Sequence, residues 1–419
     1  MSTEERQNFQ IFQGFNNSVL KPTNEEEISQ IIKECYKKNI PLEILGLGSK
    51  KNIGRNFQFE KTLDLSEYSG IIDYKPEELY IKVKSGTPIK EIRNELDKNK
   101  QHLAFEPTNF GYVFKDVSDE GSIGGVMSCN FAGPRRIKVG SVRDHILGFK
   151  GINGKGEIIK SGGTVVKNVT GYDLSKVLSG AFGTLTVLSE IAVKVLPKPD
   201  SNKTLILKNP HLKKGLEYLN LSLSSSSDPT GAVFYPENFR NNFSFNNLTF
   251  SGPITAIRVE GSKSSIDHRI DNLIKELEVT KDETAVLLKD QSDIFWEDTR
   301  NLKVFSGLKE NLIRIVVPAS EMFDLLTKLK GFDTKYFVDW GGSLVWLQLD
   351  NLNANIFNDI KIIVKSYSGY LTIIKIEEGL KASADIFTID PIKHKISEKI
   401  KKSFDPKRIL NPGKMYVGI

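Results

Sequence analysis

Cysteine is nearly missing from this 419-residue chain, which has only Cys35 and Cys129. Two thiols cannot hold an iron–sulfur cluster that needs four, and their positions suggest no disulfide framework, so a reduced, intracellular setting is expected. Long apolar runs are missing too. No window approaches the ~18 apolar residues that a membrane span requires, and the start Met1-Ser-Thr-Glu-Glu-Arg-Gln lacks the basic opening and apolar centre of a secretory signal. A cytoplasmic protein with no membrane span of its own is expected, with any membrane association made through partners. The five histidines, His102, His145, His211, His268 and His394, stand singly, and none is expected to ligate a metal. Nor does one sign of charge dominate: 58 lysines and arginines face 52 aspartates and glutamates, alternating along most of the chain. Even the basic tract 393–402 is interrupted by Glu398 and reads as the solvated face of a helix. Nucleic acid is not an expected partner.

What remains is an ordinary globular composition, 39% hydrophobic and 26% charged, in a chain long enough for two domains. Its informative stretches are short and rich in glycine. Gly46-Leu-Gly-Ser-Lys-Lys-Asn-Ile-Gly54 follows the strand-like Ile40-Pro-Leu-Glu-Ile-Leu45. Backbone donors at Gly46, Leu47, Gly48 and Ser49, with cationic Lys50, suit a pyrophosphate. The third glycine spacing is wrong for a Rossmann fingerprint, and no helix opens here, so a nicotinamide cofactor is not favoured. A second loop, Gly121-Ser-Ile-Gly-Gly-Val-Met-Ser-Cys-Asn-Phe-Ala-Gly-Pro-Arg-Arg136, places Ser122, Gly124, Gly125 and Ser128 where a backbone must approach a bulky anion. The two loops together read as one phosphate cradle.

Around them, residues 25–38 carry Ile28, Ile31, Ile32 and Cys35 at helical spacing, with Thr23 or Asn24 as the cap. Residues 80–84 alternate as a strand, and 89–98 read as a helix. Asn153-Gly-Lys-Gly156 is a hairpin signal between Phe149-Lys-Gly-Ile152 and Glu157-Ile-Ile-Lys160. Beyond Pro197 and Pro199 the texture changes. Strand candidates at 205–207, 221–227, 232–234 and 255–260 alternate with helical ones such as 264–277, and 337–349 reads as a strand pair broken by Gly341-Gly342. Trp340 and Trp346 are expected in the core.

The order of these pieces, with Arg143-Asp-His-Ile-Leu-Gly148, Lys167-Asn-Val-Thr-Gly-Tyr-Asp-Leu174 and Gly183-Thr-Leu185, resembles the flavoprotein family of vanillyl-alcohol oxidase and p-cresol methylhydroxylase. The phrases Ala132-Gly-Pro-Arg-Arg136 and Phe404-Asp-Pro-Lys-Arg-Ile-Leu-Asn-Pro-Gly-Lys-Met415 narrow the likeness to the FAD-binding subunits of bacterial glycolate oxidases. The resemblance implies an α+β protein. Its FAD-binding domain, of the p-cresol methylhydroxylase (PCMH) type, would span 18–199 in two α/β subdomains divided near residue 86. An α+β cap domain would span 200–390, and a C-terminal segment, 391–419, would pack back on the FAD domain.

The same resemblance adds Pro107, Gly183, Thr184 and Ile191 to the FAD-contacting residues. It implies noncovalent FAD, because Ser49 stands where some relatives attach the flavin through histidine. The implied partners are a catalytic flavin subunit and an iron–sulfur subunit of glycolate oxidase, with a small 2-hydroxy acid as substrate. Oxidising such an acid needs a cation for its carboxylate, a base for the hydroxyl proton, and its carbon placed over the flavin. Arg135, Arg136, Lys167 and Tyr172 are the candidates near flavin or substrate, and Arg143 with Asp144 is read as an ion pair. The His-x-x-Gly-Asp-Gly-Asn run of self-sufficient relatives is missing. Two other readings stay open: a self-sufficient oxidoreductase of another 2-hydroxy acid or sugar alcohol, and a structural flavin-fold subunit without turnover.

Overall fold

The computed structural model describes residues 18–164, 172–237, 244–245, 248–249, 252–307, 309–381 and 384–419. Three sheets carry the architecture. The first is a parallel sheet of three short strands in the order Val19–Leu20, Lys61–Asp64, Leu42–Leu45. Helix Glu25–Lys38 covers it with the predicted apolar stripe, since Ile28, Ile31, Ile32 and Cys35 pack against Leu42 and Leu63. Asn24 caps the helix by accepting from Glu27 N at 2.8 Å. The left-handed Asn39 ends it.

The second sheet is antiparallel, in the order Ile71–Lys75, Tyr80–Lys84, Thr186–Lys194, Ile146–Asn153, Ile158–Gly162. The last two strands form the hairpin expected from Asn153-Gly. Helices Ile89–Lys98 and Ile123–Cys129 bury Ile89, Ile92, Leu96, Val126 and Met127 with residues of this sheet. Tyr80–Lys84 pairs with Thr186–Lys194, so the first two sheets part near residue 70 rather than 86. Pairing between residues as far apart as Tyr80 and Lys194 decides this, and a local pattern carries no trace of it. The glycine-rich second loop is itself helical over Ile123–Cys129.

The third sheet has eight antiparallel strands, in the order Thr284–Leu287, Ser201–Lys208, Ile254–Gly261, Gly231–Tyr235, Thr334–Asp339, Leu344–Leu349, Asn311–Val316, Tyr370–Lys375. The first four residues of the serine-rich stretch 221–227, expected as a strand, are instead the end of helix Leu212–Ser224. Its Leu216, Leu219 and Ser222 are buried at helical spacing. Its hydroxyls bond back to the preceding turn, Ser222 Oγ donating to Leu219 O at 2.8 Å and Ser224 Oγ to Asn220 O at 3.1 Å. That removes the usual reason for serine to leave a helix. Trp340 and Trp346 are buried, as expected.

Helix Pro391–Phe404 and the residues after it return to the first two sheets. Leu42 pairs in parallel with Leu410. The fully buried Lys401 donates to Thr184 O at 2.6 Å, Asp405 Oδ2 at 2.8 Å and Leu410 O at 2.9 Å.

Candidate FAD site

Strand Leu42–Leu45 ends directly in the first glycine loop, and the second loop lies across it. The two interlock so closely that side chains are excluded. A Cβ on Gly46 would stand 2.2 Å from Ser122 Oγ, one on Gly121 2.0 Å from Ser49 Oγ, and one on Gly124 2.8 Å from Ser85 O. Gly48 and Gly125 differ from these. Gly48 has φ +74° and nothing within 4 Å of a Cβ, and at Gly125 the nearest atom would be 3.7 Å away. These two glycines leave room where the others fill it.

A single cavity results, lined by Gly46, Leu47, Gly48, Ser49, Lys50, Ser122, Gly124, Gly125, Ser128 and Gly183. All ten were picked from the sequence. Two of its buried hydroxyls, Ser85 Oγ and Thr186 Oγ1, have no hydrogen-bond partner among the described residues. An unpaired buried hydroxyl costs about 1–3 kcal/mol, so the cavity is polar ground prepared for a ligand. Its charge is basic. Lys50 Nζ is drawn inward to Ser49 Oγ and Glu120 O, each at 3.1 Å, and burial holds its pKa below the ordinary lysine range. Burial pulls Lys414 down to about 8. Burial also pushes the Cys129 thiol up to about 11, so it stays protonated and is no nucleophile. The residues fit a dinucleotide's phosphates, with close backbone, lysines and idle hydroxyls in one place.

Sequence reasoning missed Ser85, Thr186, Leu188, Asn411 and Lys414, which also line the cavity. Asn411 accepts from Ile44 N and donates to Phe182 O, both at 2.8 Å, tying the first sheet to the turn at Gly183. The phrase Asn411-Pro-Gly-Lys414 was the available signal. Three expected contacts fall elsewhere. Ile191 is fully buried in the second sheet's core between Val83 and Phe149. Thr184 turns its hydroxyl to Ala181 O at 2.7 Å. Pro107 lines a different cavity, together with Arg135 and Arg300.

The substrate candidates also separate. Arg135 is spent in structure: it forks onto Glu260 at 2.9 and 2.7 Å and meets Glu106 at 3.0 Å. Glu106 in turn holds Arg258 at 2.9 Å, and these guanidinium groups keep both carboxylates below their usual range despite burial. Tyr172 is 90% exposed, and Lys167 lies outside the described residues. Arg143 and Asp144 stand 3.9 Å apart, as read, with Asp144 also capping Ser141 at 2.8 Å. Arg136 lies 4.1 Å over the Trp340 ring, and there it meets a residue the sequence did not flag. Arg314 sits 4.8 Å from Trp340, 5.7 Å from Phe131 and 5.8 Å from Trp346. No carboxylate among the described residues pairs with it, and burial with nearby Arg136 lowers its pKa to about 9. Asp339, which accepts from Trp340 N at 2.6 Å, is pushed up to about 7 by burial.

A family model described as "FAD binding domain" matches residues 17–162. Glycolate oxidase subunit GlcE of Escherichia coli (strain K12) is 31% identical over 395 residues, covering 93% of this chain and 96% of that protein. The chain belongs to the GlcE family. Its cofactor is FAD, and it is an FAD-dependent oxidoreductase. Other relatives of this GlcE-family chain include a D-lactate dehydrogenase of Anaerostipes hadrus, 25% identical over 95% of the chain and 89% of the relative. The fold is that of p-cresol methylhydroxylase, with a TM-score of 0.68 at 14% identity over 96% of this chain and 88% of that one. Alkyldihydroxyacetonephosphate synthase gives a TM-score of 0.66 at 17% identity over 94% and 75%. The α+β, PCMH-type expectation therefore holds.

Proposed function

We propose that this chain is the FAD-binding subunit of a complex that oxidises glycolate to glyoxylate and passes the electrons through flavin to an iron–sulfur partner. End-to-end similarity to a glycolate oxidase subunit, joined to a cavity with idle buried hydroxyls between two glycine loops, carries this reading. The backbones of Gly46, Leu47, Gly48, Ser49, Ser122, Gly124 and Gly125, with Lys50 and Lys414, hold the pyrophosphate. Ser85 and Thr186 donate to the cofactor. Ser49 has no ring nitrogen for attachment, so FAD is held noncovalently. In this reading 18–199 is the FAD domain, 200–390 the cap, and 391–419 the strap that closes the site. Bound FAD supplies the two-electron acceptor.

Arg314, which no carboxylate among the described residues pairs with, favours a second reading, in which the chain itself takes the carboxylate of a small 2-hydroxy acid and works alone. A buried cation wants an anion, and the aromatic walls around it leave the guanidinium fork as the recognition element. The anaerobic visible spectrum of the purified chain, before and after adding glycolate, decides between them. Flavin absorbance that bleaches only when partner subunits are added supports the complex. Bleaching by glycolate alone, lost in Arg314→Met, supports the self-sufficient enzyme. A folded chain that takes up no FAD sinks both.

A further inference from the structure

Phe182 lines the FAD cavity, and from it a row of rings leads away. Its centroid is 4.8 Å from that of Phe387, Phe387 is 6.0 Å from Tyr416, and Tyr416 is 5.8 Å from His394. Phe387, Tyr416 and His394 line a separate groove of about 610 Å³. The backbone makes the same crossing, since Lys414 lines the cavity and Met415 the groove.

The groove lies at the edge of the eight-stranded sheet, where Tyr370–Lys375 is the last strand. Helices Ala354–Ser366 and Pro391–Phe404 also contribute to it. Three large apolar side chains of its lining are exposed: Ile362 by 60%, Tyr370 by 50% and Val417 by 70%. Contiguous apolar surface of this kind marks an interaction site. The charges beside it are mostly positive. Lys365 of the lining and Lys393, which donates to the Tyr370 hydroxyl at 2.6 Å, are exposed, while Asp385 is shared between Arg55 at 4.0 Å and Lys361 at 2.6 Å, Asp390 is occupied in capping its helix and Glu398 lies 4.0 Å from His394.

We propose that this groove docks a one-electron carrier protein with an acidic face, and that Phe182, Phe387 and Tyr416 form the route by which electrons reach it. The proposal rests on the reading of the neighbouring cavity as the FAD site. Charge favours an acidic partner, and the ring path favours a redox partner over a passive one. Each reduced flavin yields two electrons, taken one at a time by two oxidised carrier centres, and its protons leave to solvent.

The test uses the full-length holoprotein, photoreduced without oxygen, with the acidic soluble domain of cytochrome b5 as the carrier and ferricyanide as a small acceptor that needs no docking. Carbodiimide cross-linking supplies a readout independent of flavin. The expected result is cross-linking to the carrier through Lys365 or Lys393, and electron transfer that weakens as salt rises. In the double variant Ile362→Glu with Val417→Glu, carrier reduction slows by about tenfold or more and cross-links are lost, while FAD content and ferricyanide reoxidation are unchanged. Tyr416→Leu slows carrier reduction but keeps the cross-links. Carrier reduction that is equal in wild type and the double variant overturns the proposal. So does binding of anionic phospholipid vesicles that the double variant abolishes while carrier reduction persists, since the face would then be a membrane surface. Loss of FAD from the wild type refutes the cavity reading instead, and the cross-links still score the docking face.

Discussion

Replacing Lys401 by methionine tests how the C-terminal segment holds the FAD site together. The lysine is fully buried and divides its three donors among Thr184 O, Asp405 Oδ2 and Leu410 O. Asp405 is equally buried and also accepts from Ile409 N at 3.1 Å and Leu410 N at 2.8 Å. Methionine fills most of the space but strands the aspartate, and breaking a buried pair in this way costs about 3–5 kcal/mol. At roughly 2–4 °C per kcal/mol for a domain of 150–250 residues, the unfolding midpoint should fall by on the order of 10 °C. The loss should appear first as release of FAD, because the same segment carries Asn411 and Lys414 into the cavity. A thermal ramp followed by flavin fluorescence, beside circular dichroism, separates the two events. Adding Asp405→Asn removes the stranded charge and should restore a large part of the loss. A single variant that keeps FAD and melts within about 2 °C of wild type would refute this account of the strap.

Neighbouring glycines should behave differently. Gly124→Ala pushes a methyl group against Ser85 O and should destabilise the apoprotein by about 1–3 kcal/mol, whereas Gly125→Ala, with open space beside it, should leave apoprotein melting unchanged and still weaken FAD binding. Lys414, at about 8, loses its proton well below the ordinary lysine range near ~10.4. FAD affinity measured by fluorescence quenching should therefore fall as pH rises through about 8, and Lys414→Met should flatten that dependence. Asp339 keeps its proton up to about pH 7 when folded but releases it near ~3.9 when unfolded. The folded state thus binds more protons between those values, and stability from this group falls as pH rises from about 4 to 7. Asp339→Asn should remove that slope in urea titrations run across the range.

Local patterns showed most of the elements near the site. The stripe Ile28, Ile31, Ile32 and Cys35 gave its helix, and the two glycine loops gave nine cavity residues. The failures came from pairings distant in sequence. Nothing local to Tyr80–Lys84 says that its partner is Thr186–Lys194, and nothing near Arg135 says that Glu260 will occupy it. Arg314 drew no notice in the sequence, because its significance lies in the lack of a carboxylate beside it among the described residues. Helix Leu212–Ser224 was hidden by its serines, whose hydroxyls are satisfied within the helix itself.

Asn411 bonds to a residue on the first sheet and to one beside Gly183, so the cofactor pocket is assembled from stretches of chain more than 360 residues apart. During synthesis the first two sheets can form early, yet the pocket stays incomplete until residues 411–414 have emerged from the ribosome. If FAD binds there as proposed, flavin loading would follow translation of that segment rather than accompany it. A nascent chain stalled before it would be left with its glycine loops built and its strap missing, and would be open to proteolysis in the meantime.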